Sequence, residues 1–223
     1  LVAAVLALLS PYFFTVDNLF EITLQTAVIA IIAAGETFVI ISGGIDLSVG
    51  SVFACAAVIG GLVYTSTQNL YLALATTILA GAMFGLTNGL LITKVRVPPF
   101  IATLGMMGIA RGFALILSRG IPIYGLDDRY KFIGQGKLFD VIPVPTMIVL
   151  VVFAAGFVLM NYSRFGRFIY AIGSNTEAAR LSGVNVPAVT IGIYTICGLL
   201  SGLASTVEAG RLATVQPAGG NGY

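Results

Sequence analysis

The chain has 223 residues, of which 58% are apolar and only 9% charged, with eleven basic and nine acidic side chains and no histidine. A soluble domain of this length needs a charged shell that so few charges cannot supply, so a mean hydropathy of +1.02 places the chain in a bilayer. The formal charge of +2, without a basic stripe interleaved with aromatics, gives no sign of nucleic acid, and the missing histidine removes the commonest metal ligand and general base, so no catalytic centre, metal or cofactor is expected.

Leu1 to Leu9 is an apolar run too short to cross a hydrocarbon core of about 30 Å. With no basic segment before it, it reads as the tail of a truncated helix rather than a signal peptide. Six longer runs follow: Leu19 to Ile41, Val49 to Tyr64, Leu70 to Ile92, Phe100 to Leu117, Pro145 to Met160 and Ala188 to Val207. They are continuous rather than alternating and too long for barrel strands. The interruptions Ser10-Pro11, Ser42-Gly43-Gly44, Pro98-Pro99, Ile142-Pro143 and Val186-Pro187 fall where Pro or Gly disfavours helix. The expected fold is all-α, a polytopic membrane helical bundle of six full spans plus a truncated N-terminal helix. Since the sequence also stops in the loop Gln216 to Tyr223, the expected unit is a single transmembrane domain, 1–223, cut at both ends.

Alternating spans put Lys94, Arg96, Arg164, Arg167 and Arg180 on one side, facing Arg119, Arg129, Lys131 and Lys137 on the other, a bias too slight to fix orientation. In the first run Glu36 follows Gly35 and is set to be buried. It either faces a translocation path or is held by a structural hydrogen bond or an ion pair, the candidate partner being Arg111, the basic residue inside a span. The segment Ser42-Gly43-Gly44-Ile45-Asp46-Leu47-Ser48-Val49-Gly50 places a carboxylate near membrane depth, where it costs about 2.5–3.5 kcal/mol unless given a polar surrounding. Such a break frees backbone groups, tolerated only where they line a cavity or are buried in protein. Gly43, Gly44, Asp46 and Ser48 are therefore either a pathway or gate element or a turn in which Asp46 or Ser48 caps the next helix.

Gly81, Gly85 and Gly89 recur at spacing four, as do Gly108 with Gly112 and Gly198 with Gly202, stacking small residues on one helix face for close packing. Cys55 and Cys197 lie in apolar runs and read as buried thiols. In the polar connection after the fifth run, Glu177-Ala178-Ala179-Arg180-Leu181-Ser182-Gly183 fits a short amphipathic helix. Asn175 or Thr176 would cap it, Glu177 would favour its first turn and Gly183 would end it. It is either a docking element for a cytoplasmic partner or an ordinary connector. Gly136-Lys137 is followed by Leu138, so the chain lacks a phosphate-binding loop of its own and any ATP must be handled by another chain.

The stretch Gly35-Glu36-Thr37-Phe38-Val39-Ile40-Ile41-Ser42-Gly43-Gly44-Ile45-Asp46-Leu47-Ser48-Val49-Gly50-Ser51 resembles the hallmark of ribose-type ABC permeases. Val97 to Gly105, Phe165 to Asn175, Ala209-Gly210-Arg211-Leu212 and Gln216-Pro217 agree with it, so the resemblance spans nearly the whole chain. It implies a multi-pass protein of the bacterial plasma membrane that pairs with a second permease copy as a homo- or heterodimer. Its partners would be a cytoplasmic ATP-binding subunit and a periplasmic or extracellular sugar-binding protein. It also implies that Glu177, Ala178, Ala179 and Gly183 form the cytoplasmic loop coupled to the ATPase, as in the Glu-Ala-Ala-x-x-x-Gly pattern of ABC importers. The longer form of that pattern, ending Ile-x-Leu-Pro, is absent, since Ile193 leads into Tyr194-Thr195-Ile196. The family also extends beyond both ends of this sequence. The expected function is transport of a monosaccharide such as ribose, without enzymatic activity in this chain. The alternatives are an ion- or proton-coupled carrier with Glu36 and Asp46 as coupling carboxylates, and a non-transporting membrane scaffold.

Overall fold

The computed structural model describes residues 5, 7, 9–10, 12–139 and 141–223. The expected N-terminal stub lies largely outside the described residues.

Among the described residues, six helices are long and apolar enough to cross a membrane. They are α1 (Val16–Ile41), α2 (Val49–Thr67), α3 (Leu70–Thr93), α4 (Pro99–Ser118), α6 (Val144–Tyr162) and α9 (Val186–Leu212). Their starts follow from local chemistry. Thr15 and Asn69 cap α1 and α3 through side-chain oxygens, Asn185 caps α9, and Pro occupies the first turn of α4, α6 and α9, where its missing N–H costs nothing. Observed bounds agree with the apolar runs to within three residues, except at the end of α9. There the helix continues past Val207 to Leu212, because Glu208 and Arg211 satisfy each other one turn apart.

Three shorter helices lie in the polar connections: α5 (Asp128–Gln135), α7 (Arg164–Ser174) and α8 (Thr176–Leu181). A two-stranded antiparallel pair, β1 (Lys137–Leu138) and β2 (Ile142–Pro143), precedes α6, with Lys137 opposite Pro143 and Leu138 opposite Ile142.

Helix α9 is the hub, with its most extensive contact against α3 and further contacts to α1, α2 and α5. The α3–α9 seam is made of glycine. A Cβ on Gly81 would overlap the carbonyl of Gly198, one on Gly85 the carbonyl of Tyr194, and one on Gly89 would sit 2.7 Å from the Cα of Ile191. Backbones thus touch along three turns, where dispersion between helices replaces the hydrophobic drive that lipid removes. Gly108 and Gly112 differ: among the described residues nothing stands within 4 Å of a Cβ built on either, so their side of α4 is open there. Helix α2 is the most enclosed span, whereas α6 turns Val151, Phe153, Phe157 and Val158 outward as a lipid face.

Candidate functional site

Helix α1 ends in a left-handed turn. Gly43 has φ +80°, and the amides of Gly43 and Gly44 bond back to Ile40 and Val39 at 2.9 and 3.0 Å. The chain then runs without regular structure from Gly44 to Leu47 before α2 begins, and side chains from two other helices satisfy polar groups here. Tyr194 Oη on α9 donates to the Ile45 carbonyl at 3.2 Å, and Asn88 Nδ2 on α3 donates to Ser48 Oγ at 2.9 Å. Ser201 Oγ on α9 donates to the Val49 carbonyl at 2.8 Å. This is the pattern needed for broken backbone at membrane depth.

Asp46 is buried, and its Oδ1 accepts from the Ser48 amide at 2.8 Å and the Ser48 hydroxyl at 2.6 Å. Ser48 stands at the N-cap of α2 but makes no side-chain capping bond, and Asp46 braces Ser48 in an Asx-type turn rather than capping the helix. Asn88, Ser48 and Asp46 therefore form a buried relay, in which the Asn88 Oδ1 has no partner.

Glu36 reaches this cluster from α1. Its Oε1 accepts from Cys197 Sγ at 3.3 Å, and the ligating atoms of Glu36, Asp46 and Cys197 all lie within 4.8 Å of one another. This set of donors could close around a cation. The alternative pairing of Glu36 with Arg111 is not what the side chains do. Arg111 Nη1 instead donates to the carbonyls of Pro217 and Gly219 at 2.9 and 2.8 Å, because the chain after α9 folds back into the bundle and presents free carbonyls to it. The returning segment brings Gly220 against Gly50, backbone to backbone, so a break from each end of the bundle meets at the start of α2.

On the face where α1, α3 and α6 end, Ser163 closes α6 and caps α7 by accepting from the Gly166 amide at 3.0 Å. Helix α7 buries Gly166, Ile169 and Ile172, and Gly173 rests on the Ile41 carbonyl at the end of α1. Asn175 Oδ1 accepts from the Ala178 amide at 2.9 Å and starts α8, which carries Glu177 and Ala178 exposed and Ala179 buried. Arg180 pairs with Glu177 at 2.7 Å, and Gly183 takes φ +84° just past the helix end. A cavity of about 340 Å³ joins the two regions, lined by Gly43 and Gly44 on one side and by Ile172, Thr176, Pro187 and Tyr194 on the other.

Sequence spacing could not reveal the roles of Asn88, Tyr194 and Cys197. A lone Asn inside an apolar run was the available signal for the first, since a buried amide in lipid demands a partner.

Residues 18–222 match the family described as branched-chain amino acid transport system / permease component. The chain is 42% identical to the ribose import permease protein RbsC of Escherichia coli (strain K12) over 99% of its length and 70% of the relative's. It is 40% identical to the ribose import permease protein RbsC of Bacillus subtilis (strain 168), covering 98% of this chain and 68% of that one. It is 37% identical to the L-arabinose transport system permease protein AraH of Escherichia coli (strain K12), covering 97% and 66%. No solved structure matches the chain significantly. With six apolar helices and bacterial relatives of this kind, it is a multi-pass protein of the bacterial inner membrane. It belongs to this permease family, as a ribose-type ABC permease.

Proposed function

We propose that the chain is the membrane subunit of an ATP-driven importer of a monosaccharide such as ribose. The cargo would be handed over by a binding protein, and a separate cytoplasmic subunit would hydrolyse the ATP. The family description mentions amino acids, but relatives at about 40% identity are sugar permeases, which favours a sugar cargo.

The observation that carries the mechanism is the cavity shared by the Gly43-Gly44 break and the first turn of α8. Helix α8 exposes Glu177 and Arg180, and α7 ties it to the end of α1 through Gly173 and Ile41. An ATPase that grips Glu177 and Gly183 and shifts α8 would therefore push directly on the break around Asp46. Interfaces packed this closely move between discrete arrangements rather than deforming smoothly. Pathway lining by Glu36, Gly43, Gly44, Asp46 and Ser48, and docking by Glu177, Ala178, Ala179 and Gly183, belong to this reading, as does a dimer of two permease copies.

The docking assignment has a direct test. Glu177→Lys and Gly183→Val are each expected to reduce ATPase co-purification at least about fivefold and to abolish stimulation of hydrolysis by the loaded binding protein. The first reverses an exposed charge, and the second forces a branched side chain onto a positive φ. If both variants hold the ATPase and respond as wild type, the docking assignment is wrong. Among the described residues nothing independently favours the carrier reading beyond the Glu36 and Asp46 cluster, and the ABC-type relatives speak against it.

A further inference from the structure

At the end of the bundle opposite α8, the last turn of helix α9, past the apolar run that ends at Val207, holds a pair of charges. Arg211 Nε and Nη2 donate to Glu208 Oε2 and Oε1 at 2.9 and 3.0 Å, and the two side chains are only 23% and 18% exposed. The other ion pairs among the described residues, Lys131 with Asp128 and Arg180 with Glu177, belong to helices in the polar connections. Both side chains are largely shielded from solvent, so the cost of desolvating them must be offset where they sit. This pair cancels its own charge but leaves lone pairs on the carboxylate and unused N–H groups on the guanidinium.

The pair stands between two cavities. One, of about 110 Å³, is lined by Phe53, Ser205, Glu208, Thr214 and Gln216 and closed by the returning segment at Gly219-Gly220. The other, of about 460 Å³, is lined by Phe20, Glu21, Gln135, Lys137 and Arg211. Both are far larger than the roughly 15 Å³ that admits a single water. In the smaller cavity the Glu208 carboxylate, the Gln216 amide and the acceptor lone pairs of the Ser205 and Thr214 hydroxyls, whose protons go to the Gly202 and Ile123 carbonyls, surround the Phe53 ring and suit a neutral ligand with several hydroxyls and C–H faces. The one charged residue lining that cavity, Glu208, is already paired with Arg211, so a charged ligand there would have to break the pair. The Ala209-Gly210-Arg211-Leu212 and Gln216-Pro217 motifs thereby acquire a chemical role.

We infer that Glu208 and Arg211, with Thr214, Gln216 and Phe53, form a contact site for a small uncharged polyhydroxylated cargo at the end of the pathway opposite the ATPase. This inference rests on the importer reading above. The test uses the assembled transporter in proteoliposomes with saturating loaded binding protein. Uptake of ribose and of its monodeoxy analogues is measured alongside stimulated ATP hydrolysis. Glu208→Gln is expected to slow ribose uptake about tenfold with hydrolysis largely retained. Its preference for ribose over the deoxy analogues should fall several-fold relative to wild type, because a site built to hydrogen-bond a hydroxyl discriminates against its absence. Uptake and hydrolysis falling together with an unchanged preference would make the pair structural and overturn the inference. If Glu208→Gln does not assemble, Thr214→Val and Gln216→Leu take its place, and wild-type preference in both overturns the inference equally. Failure of the wild-type complex to take up any sugar would instead remove the importer reading itself.

Discussion

Asp46→Ala is expected to lower the yield of assembled transporter, or its uptake, at least about tenfold, while Asp46→Asn restores assembly. Asp46 Oδ1 is the acceptor for both the Ser48 amide and the Ser48 hydroxyl in a buried turn. Alanine strands both donors, and a buried donor without a partner costs about 1–3 kcal/mol, where 1.4 kcal/mol is tenfold in an equilibrium. The loss would not stay local, because Ser48 also receives Asn88 from α3 and precedes the carbonyl held by Ser201 from α9. Asparagine keeps an oxygen at the same place and can rebuild the turn. Pulse-labelled membrane yield and uptake of the three proteins settle the matter. Wild-type yield and uptake for the alanine variant would show that the break does not depend on this carboxylate.

Gly85→Val is expected to reduce assembled complex at least about tenfold. A Cβ at this position would overlap the Tyr194 carbonyl, and backbone cannot yield as a side-chain tip can. Separating α3 from α9 there would also withdraw the Tyr194 hydroxyl from Ile45, coupling the packing seam to the break. Gly108→Val is the matched control, since none of the described residues lies within 4 Å of its added carbon, and its effect should be several-fold milder. Detergent-resistant complex measured by size exclusion compares the two, and a Gly85→Val protein as stable as wild type would contradict the backbone-contact account.

These two glycines also show what could be read from sequence. Spacing four at Gly81-Gly85-Gly89 and at Gly108-Gly112 carries the same information, yet among the described residues the first lies against another helix and the second does not, because spacing describes a face and not its neighbour. The six spans were legible because membrane thickness sets helix length and Pro or Gly marks the breaks. Helix α8 was legible with its cap narrowed to Asn175 or Thr176, of which the structure uses Asn175, since a cap acts on its own neighbours. Helix α5 and the short strand pair were not expected, because the polar connection between α4 and α6 has no long apolar period to reveal them. Long-range partners were out of reach for the same reason. Glu36 meets Cys197 and Arg111 meets Gly219 only once the helices have packed, and a Gly-rich tail gives no sign that it turns back into the bundle.

The central claim, that ATP hydrolysed by a partner bound at α8 moves sugar past the break around Asp46, is tested most directly by uptake in proteoliposomes. The assembled transporter, given ATP on the ATPase side and ribose-loaded binding protein on the other, is expected to accumulate ribose, to continue when an uncoupler is added and to stop when ATP is withdrawn. Uptake that persists without ATP and collapses with the uncoupler would contradict the account and restore Glu36 and Asp46 as coupling carboxylates of an ion-driven carrier.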